Sequence, residues 1–176
     1  MLTSSTRRQL PDTGFASGIE TVLPAQPWAL AYASTDVMLE IPGLGVKIPV
    51  VGVPKKNGTW NVSWLGDQAG WLEGSAFPSW SGNSVLTSHV YLANGLPGPF
   101  VNLNKLTYGD RVIVHAFGQV YTFAVQTNRV VEPSDQSVMK HEDKPVLTLV
   151  TCKDYDEKTN SYLKRVVVRA VLVSVK

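Results

Sequence analysis

The sequence predicts an all-β fold, a barrel or a sandwich, from three observations. Short apolar runs rich in β-branched residues recur along the chain, turn residues separate them, and there is little helical periodicity. Many short strands with little helix are typical of closed or double-sheet β architectures. The 176 residues are enough for one domain to bury a core without a disulfide or a structural metal.

The predicted strands follow from alternation or from β-branched content. They lie at residues 37–41, 46–53, 59–62, 84–89, 111–116, 120–125, 147–152 and 165–175. Asn57-Gly58 predicts a tight hairpin before the third of these, because both residues tolerate the positive φ angles of such turns. Helix is expected only at 67–72 and as a turn within 100–106. Polar loops are expected at 132–145 and 153–161.

The N-terminal segment differs in composition from the rest of the chain. Residues 1–34 hold several prolines and glycines with no helical or alternating period, so we expect an extended arm followed by one folded domain at 35–176. No apolar run approaches the roughly 18 residues that a membrane helix needs. A signal-peptide pattern is not seen either. The expectation is a soluble piece, whole or cut from an anchored protein.

Charge and cysteine content exclude several classes of function. The net charge of +2 is too small to predict binding to nucleic acid or to an anionic membrane. The single cysteine cannot form an internal disulfide, and no His or Cys cluster has zinc spacing. We therefore expect no cofactor and no metal.

Cys152 is the candidate nucleophile. It ends the apolar run Leu147-Thr148-Leu149-Val150-Thr151, and the termini of strands are where β scaffolds collect catalytic groups. A thiol is only a few per cent ionised at neutral pH and needs a partner for its proton, usually an imidazole. The alternative interpretation is a spare buried cysteine.

Three histidines could be that partner. His89 ends a predicted strand and precedes a Gly/Pro loop, which favours it, although it could also be a loop histidine that caps a turn. His115 lies inside an alternating strand. His141 lies between charged residues and is expected to be solvated.

Acyl transfer also requires a group that stabilises negative charge on the substrate oxygen. Arginine is suitable because it is always charged and can donate two parallel hydrogen bonds. Arg165 and Arg169 share one face of the last predicted strand, and the pattern does not separate them. No Asp or Asn stands out as a partner for His89, so Cys-His-Arg is preferred to a Cys-His-Asn triad.

These residues make the chain resemble the sortases, the cysteine transpeptidases of bacterial cell surfaces. Thr148-Leu149-Val150-Thr151-Cys152 is similar to the TLxTC signature of that family, and Arg165 follows at the family's usual distance. Ser88-His89, the segment at 99–103 and Leu106-Thr107-Tyr108-Gly109-Asp110 resemble the histidine and the segments after it. The resemblance covers about residues 35–176, in the family's order.

The resemblance implies a closed barrel of about eight strands and a set of roles. Cys152 would be the nucleophile, His89 the general acid and base, and Arg165, preferred to Arg169 by its spacing, would stabilise the oxyanion. Thr151 and Ser88, which stand beside the nucleophile and the histidine, are expected to contribute to substrate binding. The loop at 132–145 would border the substrate groove, and it carries no acidic cluster like the calcium site of some sortases.

The implied reaction cleaves an LPxTG-like signal between Thr and Gly. The acyl group would then pass to an amine, on a peptidoglycan precursor or a pilin lysine, or more slowly to water. The implied location is the outer face of a bacterial membrane, with any anchor upstream of this sequence. The alternatives are another cysteine hydrolase or L,D-transpeptidase, and a β-barrel binding module without activity.

The arm itself contains an LPxTG sequence, Leu10-Pro11-Asp12-Thr13-Gly14. A normal anchoring signal lies near the C-terminus before an apolar span, whereas this one is N-terminal and a proline-broken stretch follows it. Three interpretations remain open: a pseudosubstrate for the groove, a cleavage site between Thr13 and Gly14, or a linker that matches by chance.

Overall fold

The computed structural model describes residues 36–176. The predicted arm at 1–34 and its LPDTG sequence lie outside the described residues. The strands are β1 (Met38–Ile41), β2 (Val46–Val53), β3 (Lys55–Lys56), β4 (Thr59–Trp60), β5 (Ala69–Leu72), β6 (Asn83–Thr87), β7 (Arg111–Ala116), β8 (Gln119–Val131), β9 (Val146–Asp156) and β10 (Ser161–Val175). Short 3-10 helices span Pro42–Leu44, Leu103–Lys105 and Gln136–Met139.

Eight of these strands form a closed barrel, which confirms the predicted fold class. Their order around the barrel is β1-β2-β5-β6-β9-β10-β8-β7, and β1 closes it by pairing antiparallel with β7. Most neighbours are antiparallel, but β2–β5 and β6–β9 are parallel. Closure removes the unpaired edges that an open sheet would leave.

The barrel interior is the hydrophobic core, and the alternation along the strands fills it. Alternate residues of β1, β7, β9 and β10 are buried in one cluster, including Leu39 and Ile41, Val112 and Val114, Leu147 and Leu149, and Val166 and Val168. A second cluster of Val51, Val53, Leu65, Leu72 and Val85 lies outside the first, beside β2, β5 and β6. Burial of these apolar side chains is the main favourable contribution to folding.

The small ribbon of β3 and β4 has the predicted turn. Asn57 and Gly58 have φ angles of 51° and 77°, as a two-residue hairpin of this type requires. A strand was expected to reach residue 62, but β4 ends at Trp60.

The helix predicted at 67–72 is wrong, because residues 69–72 form β5. This strand pairs with β2 on one side and with β6 on the other. Gly70 allows the close packing: a Cβ there would lie 2.6 Å from a methyl carbon of Val53 and 3.0 Å from one of Leu65. Pairing within the barrel outweighs the weak local preference for helix.

The prediction that a strand ends at Cys152 is also wrong, as is the loop predicted at 153–161. β9 continues to Asp156 and β10 begins at Ser161, so only residues 157–160 form the turn. The polar residues stabilise this turn, since Asp156 accepts hydrogen bonds from the Lys158 amide at 3.0 Å and from the Thr159 hydroxyl at 2.9 Å. The Cys152 thiol therefore lies within a long hairpin.

Candidate active site

The β6 and β9 pairing brings His89 and Cys152 to the same level of the barrel. The two strands run parallel, and their last paired residues are Thr87 and Val150. The Thr87 hydroxyl donates to the Val150 carbonyl oxygen at 2.9 Å. Cys152 lies two residues further along β9, and His89 lies two residues after the end of β6, so the strand predicted to reach His89 is two residues too long. Because the two strands run parallel and in register, these residues, 63 positions apart, lie at the same level.

Thr151 and Ser88, the predicted substrate-binding residues, connect the two strands inside the protein. The Thr151 hydroxyl donates to the Ser88 carbonyl oxygen at 2.8 Å, and the Ser88 hydroxyl donates to the Gln68 carbonyl oxygen at 2.8 Å. Both residues are buried. Their hydroxyl hydrogens are therefore used within the fold, next to Cys152 and His89.

The backbone after His89 is held by a close turn. The Phe100 amide donates to the His89 carbonyl oxygen at 3.1 Å, and the Gly98 amide donates to the Val90 carbonyl oxygen at 2.7 Å. A side chain at Gly98 would overlap the His89 carbonyl group, because a Cβ would lie 2.8 Å from its carbon. Glycine at position 98 thus permits the path of the chain that carries the histidine.

Arg165 lies directly opposite Cys152 in the β9–β10 pairing. Its Nη1 donates to the Lys164 carbonyl oxygen at 3.0 Å and, more weakly, to the Tyr162 carbonyl oxygen at 3.4 Å. No carboxylate pairs with it among the ion pairs of the described residues. The guanidinium keeps most of its donors available beside the thiol.

Arg169, unlike Arg165, lies far from Cys152 and pairs with a carboxylate. It pairs with Thr148 in the strand register, four residues from Cys152, which corresponds to about 13 Å along a strand. Its Nη1 lies 2.5 Å from Glu142 Oε1, and this hydrogen bond lowers the pKa of the Glu142 carboxyl. Arg169 therefore fastens the 132–145 loop to the barrel.

The side chain of Asn83 is hydrogen-bonded to the 132–145 loop, a contact that was not predicted from the sequence. Its Nδ2 donates to the carbonyl oxygens of Val138 at 2.9 Å and Lys140 at 3.0 Å, and its Oδ1 accepts from the Thr148 hydroxyl at 2.6 Å. The side chain is buried, and these three bonds give its polar atoms partners within the protein.

The other two histidines lie away from the thiol. His115 is on β7, with Nε2 2.7 Å from Glu40 Oε2, and His141 is in the 132–145 loop, with Nε2 3.7 Å from Asp143 Oδ1. Within residues 36–176, no group of three or more His, Cys, Asp or Glu residues could hold a metal ion. None of the helices in that part of the chain has the length and hydrophobicity needed to cross a membrane.

Burial and the charge of Arg165 act in opposite directions on the pKa of Cys152. Burial raises the pKa of the Cys152 thiol, and the positive charge of Arg165 lowers that pKa by a smaller amount. Desolvation disfavours the charged thiolate, while the nearby cation favours it. The thiol is thus mainly neutral in the free protein.

A cleft of about 280 Å³ opens beside Cys152. Three tyrosines border it, Tyr91 from the loop after His89 and Tyr155 and Tyr162 from the projecting part of the β9–β10 hairpin. These tyrosines did not emerge from the sequence, because the strand was expected to end at the thiol. The symmetry of the hairpin about residues 158 and 159 is the signal that could have revealed the Tyr155–Tyr162 pair.

Comparisons with known proteins agree with this architecture. The family model for the sortase domain matches residues 39–173. Sortase C-1 from Actinomyces oris is 26% identical, with a TM-score of 0.65 and coverage of 78% of this chain and 73% of that one. A lid mutant of sortase A from Corynebacterium diphtheriae is 29% identical, with a TM-score of 0.64 and coverage of 78% and 69%.

A third structure, sortase C from Streptococcus pneumoniae, is described in terms of its catalysis and pilin substrate specificity. It is 29% identical, with a TM-score of 0.63 and coverage of 78% of this chain and 65% of that one. A search of curated proteins gave no match. Because the family model spans most of the chain and the solved structures share its barrel, the chain belongs to the sortase family of cysteine transpeptidases.

Proposed function

We propose that this sortase cleaves an LPxTG-like sorting signal between Thr and Gly and transfers the acyl group to an amine. Cys152 is the nucleophile, His89 the general acid and base, and Arg165 the group that stabilises the oxyanion. The observation that carries this proposal is the register of β9, which has Arg165 directly opposite Cys152 on one side and the strand leading to His89 on the other.

In the first step the Cys152 sulfur attacks the carbonyl carbon of the signal's Thr. The thiol proton passes to His89, which then protonates the Gly amine as the C–N bond breaks. Arg165 donates hydrogen bonds to the oxygen that becomes negative in the tetrahedral intermediate. The product is a thioester on Cys152, which an amine or, more slowly, water resolves.

The raised pKa of Cys152 bears on how this step begins. Because burial keeps the thiol mainly neutral, the reactive thiolate forms together with proton transfer to His89, or exists as a minor fraction beforehand. Arg165 favours that thiolate by its charge. The arginine thus assists both the nucleophile and the oxyanion.

Thr151 and Ser88 are proposed as positioning residues. Their hydroxyls donate to carbonyl oxygens within the protein, and the Thr151–Ser88 bond joins the segment of the nucleophile to that of the histidine. This differs from the substrate-binding role expected for them, since the donors that would reach a substrate are already used.

The acceptor and the location follow from the family. We propose an acceptor amine on a peptidoglycan precursor or a pilin lysine, and action at the outer face of a bacterial membrane. The similarity to a sortase C that is described in terms of pilin substrate specificity supports the second acceptor.

Peptide cleavage tests the proposal. A peptide containing Leu-Pro-x-Thr-Gly is incubated with the protein, and mass spectrometry follows the thioester on Cys152 and the released Gly-containing fragment. Cys152→Ala should abolish both, and His89→Ala should slow release by about a hundredfold or more. Release that survives Cys152→Ala would refute the proposed chemistry and favour a binding module.

The LPDTG sequence in the arm is proposed as a self-recognition segment. A tethered peptide has a high effective concentration, so a weakly bound Leu10–Gly14 segment could occupy the groove or be cut between Thr13 and Gly14. Deleting residues 1–18 should raise the rate on an added LPxTG peptide. An unchanged rate, with residues 13 and 14 still joined after long incubation, would contradict both forms of self-recognition.

A further inference from the structure

We propose that the tyrosine-lined cleft beside Cys152 binds the acceptor as an ammonium ion before it attacks the thioester. The binding site consists of Tyr91, Tyr155 and Tyr162, with the Asp154 carboxylate at its border. This inference rests on the proposed function, since it names the chemistry by which the acceptor is recognised at the same site.

Two of the three rings pack against each other beside Cys152, and the third borders the same cleft. Tyr155 and Tyr162 are cross-strand partners, and their ring centroids are 5.1 Å apart in an edge-to-face arrangement. The Tyr155 hydroxyl donates to Asn160 Oδ1, which fixes the orientation of that ring. Tyr91 borders the same cleft and is 53% exposed, while Tyr155 is 51% exposed. The rings thus combine a fixed geometry with access from solvent.

A local distortion of β9 brings Tyr155 to the cleft. Regular alternation would direct Cys152 and Tyr155 to opposite faces of the strand. Asp154 lies between them with a φ of 57°, in the left-handed region, and the pairing with β10 omits Asp154 and Leu163 without a shift of register. Residues 151–155 all border the cleft. Backbone strain of this kind is concentrated at functional sites.

The charged side chains that line the cleft cancel, and Arg165, which lies opposite Cys152, is not among the lining residues. Lys153 is the cationic side chain that borders it, and its Nζ lies 2.6 Å from Asp154 Oδ1, so its charge is balanced. The faces of neutral phenol rings are electronegative and attract ammonium groups. Burial raises the pKa of Tyr162, which keeps its phenol neutral at physiological pH.

The transfer step balances with this bound species. One proton passes from the ammonium to neutral His89 and then to solvent, which frees the amine to attack the thioester carbon. The C–N bond forms and the C–S bond breaks. The second proton then moves from the new amide nitrogen, through His89, to the departing Cys152 sulfur.

The experiment compares a charged and a neutral nucleophile on the same acyl-enzyme. Nα-acetyl-lysine carries an ammonium group at pH 7.5, whereas hydroxylamine is neutral. The ratio of aminolysis to hydrolysis is measured against nucleophile concentration for the double variant Tyr155→Leu/Tyr162→Leu. We expect the lysine concentration at half-maximal aminolysis to rise about tenfold, with the hydroxylamine ratio changed less than about twofold.

Matched variants separate recognition from folding. Tyr155→Phe/Tyr162→Phe keeps the rings and should retain most of the lysine preference. Tyr108→Leu changes a tyrosine that is 79% exposed and does not border the cleft, and it should have no effect. The rate of release of the Gly-containing fragment reports the first step, so it is measured in each protein, and the ratio of aminolysis to hydrolysis is compared within each protein.

Two results would overturn the inference. Equal losses with lysine and hydroxylamine would mean that the rings shape the site without recognising charge. An unchanged lysine ratio in the Leu double variant would mean that the ammonium binds elsewhere. Failure of the proposed function is distinguishable, because the wild-type protein would then release no Gly-containing fragment at all.

Discussion

The β9–β10 hairpin has two halves that differ in the burial of their side chains and in the regularity of their pairing. In the barrel half, residues 146–152 pair with 165–171 in unbroken register, and most of their side chains are buried. In the projecting half, residues 153–164, most side chains reach solvent and Asp154 interrupts the pairing. Cys152 and Arg165 are the last pair of the barrel half.

Under the two proposals, this difference separates chemistry from recognition along a single pair of strands. Cys152 and Arg165 are held by a regular ladder with a closed core beneath it, so their relative position is fixed. The projecting half has no core to preserve, and it can change its side chains at little cost in stability. We therefore expect substitutions in the two halves to affect different steps of the reaction.

The largest expected effect contrasts the two arginines of the barrel half. Arg165→Ala should lower kcat/KM for an LPxTG peptide by about a hundredfold or more, because it removes the charge opposite the thiol. Arg169→Ala removes the partner of Glu142 and should cost less than about tenfold. Steady-state cleavage assays give both values. If Arg169→Ala proves the more damaging change, the assignment of the two arginines is wrong.

The next effect tests how the barrel half positions His89. Thr151→Val removes the hydrogen bond to the Ser88 carbonyl and should lower kcat about tenfold while costing about 1–3 kcal/mol of stability. Thr148→Val removes a buried hydrogen bond to Asn83 on the same strand, so it should cost similar stability. Thermal unfolding and kcat are measured for both. Equal losses of kcat would show that Thr151 acts only through stability.

The third prediction concerns the ionisation of the thiol. Since burial raises the pKa of Cys152, the rate of alkylation by iodoacetamide should rise with pH and reach half its maximum above the pH typical of a free cysteine. Arg165 lowers that pKa, so Arg165→Ala should move the midpoint still higher and slow alkylation at neutral pH. A midpoint at or below that of free cysteine would show that burial does not dominate the ionisation of this thiol.

The smallest effect belongs to the projecting half. Asp154 has a positive φ, which Asn tolerates well and Ala does not. Asp154→Ala should cost about 1 kcal/mol and Asp154→Asn close to none, with the first step of the reaction unchanged in both. Denaturant unfolding and peptide release provide the readouts. A large loss of peptide release in either variant would show that the two halves are coupled.

Local patterns in the sequence predicted most of the barrel but not its projecting parts. The alternation of Leu147 and Leu149, and of Val166 and Val168, defines faces that must be buried, and Asn57-Gly58 specifies its turn by its own backbone preferences. β5 escaped prediction because Ala69 and Gly70 carry little β preference, and pairing with β2 and β6 decides their conformation.

The site, like the barrel, was predictable only where local sequence patterns determine it. The similarity to the sortase signature singled out His89, Cys152 and Arg165, whereas the strand pattern alone did not separate Arg165 from Arg169; the register shows that Arg165 lies opposite Cys152. The register of β9 and β10 is determined by the turn at 157–160. The polar residues around this turn led to the prediction of a longer loop at 153–161. The buried contacts of Asn83 and the overlap that a side chain at Gly98 would cause depend on tertiary packing, which single-sequence patterns do not contain.

The parallel pairing of β6 with β9 has a consequence for the folding of the molecule. Antiparallel hairpins such as β7–β8 join residues close in sequence, but β6 and β9 are joined across about sixty residues. Such long-range pairing forms slowly, because loop closure must be completed before the contacts contribute. A chain in which β6 and β9 have not paired does not bring Cys152 and His89 to the same level, so under the proposed mechanism we expect a newly synthesised molecule to gain transpeptidase activity only when the barrel is complete.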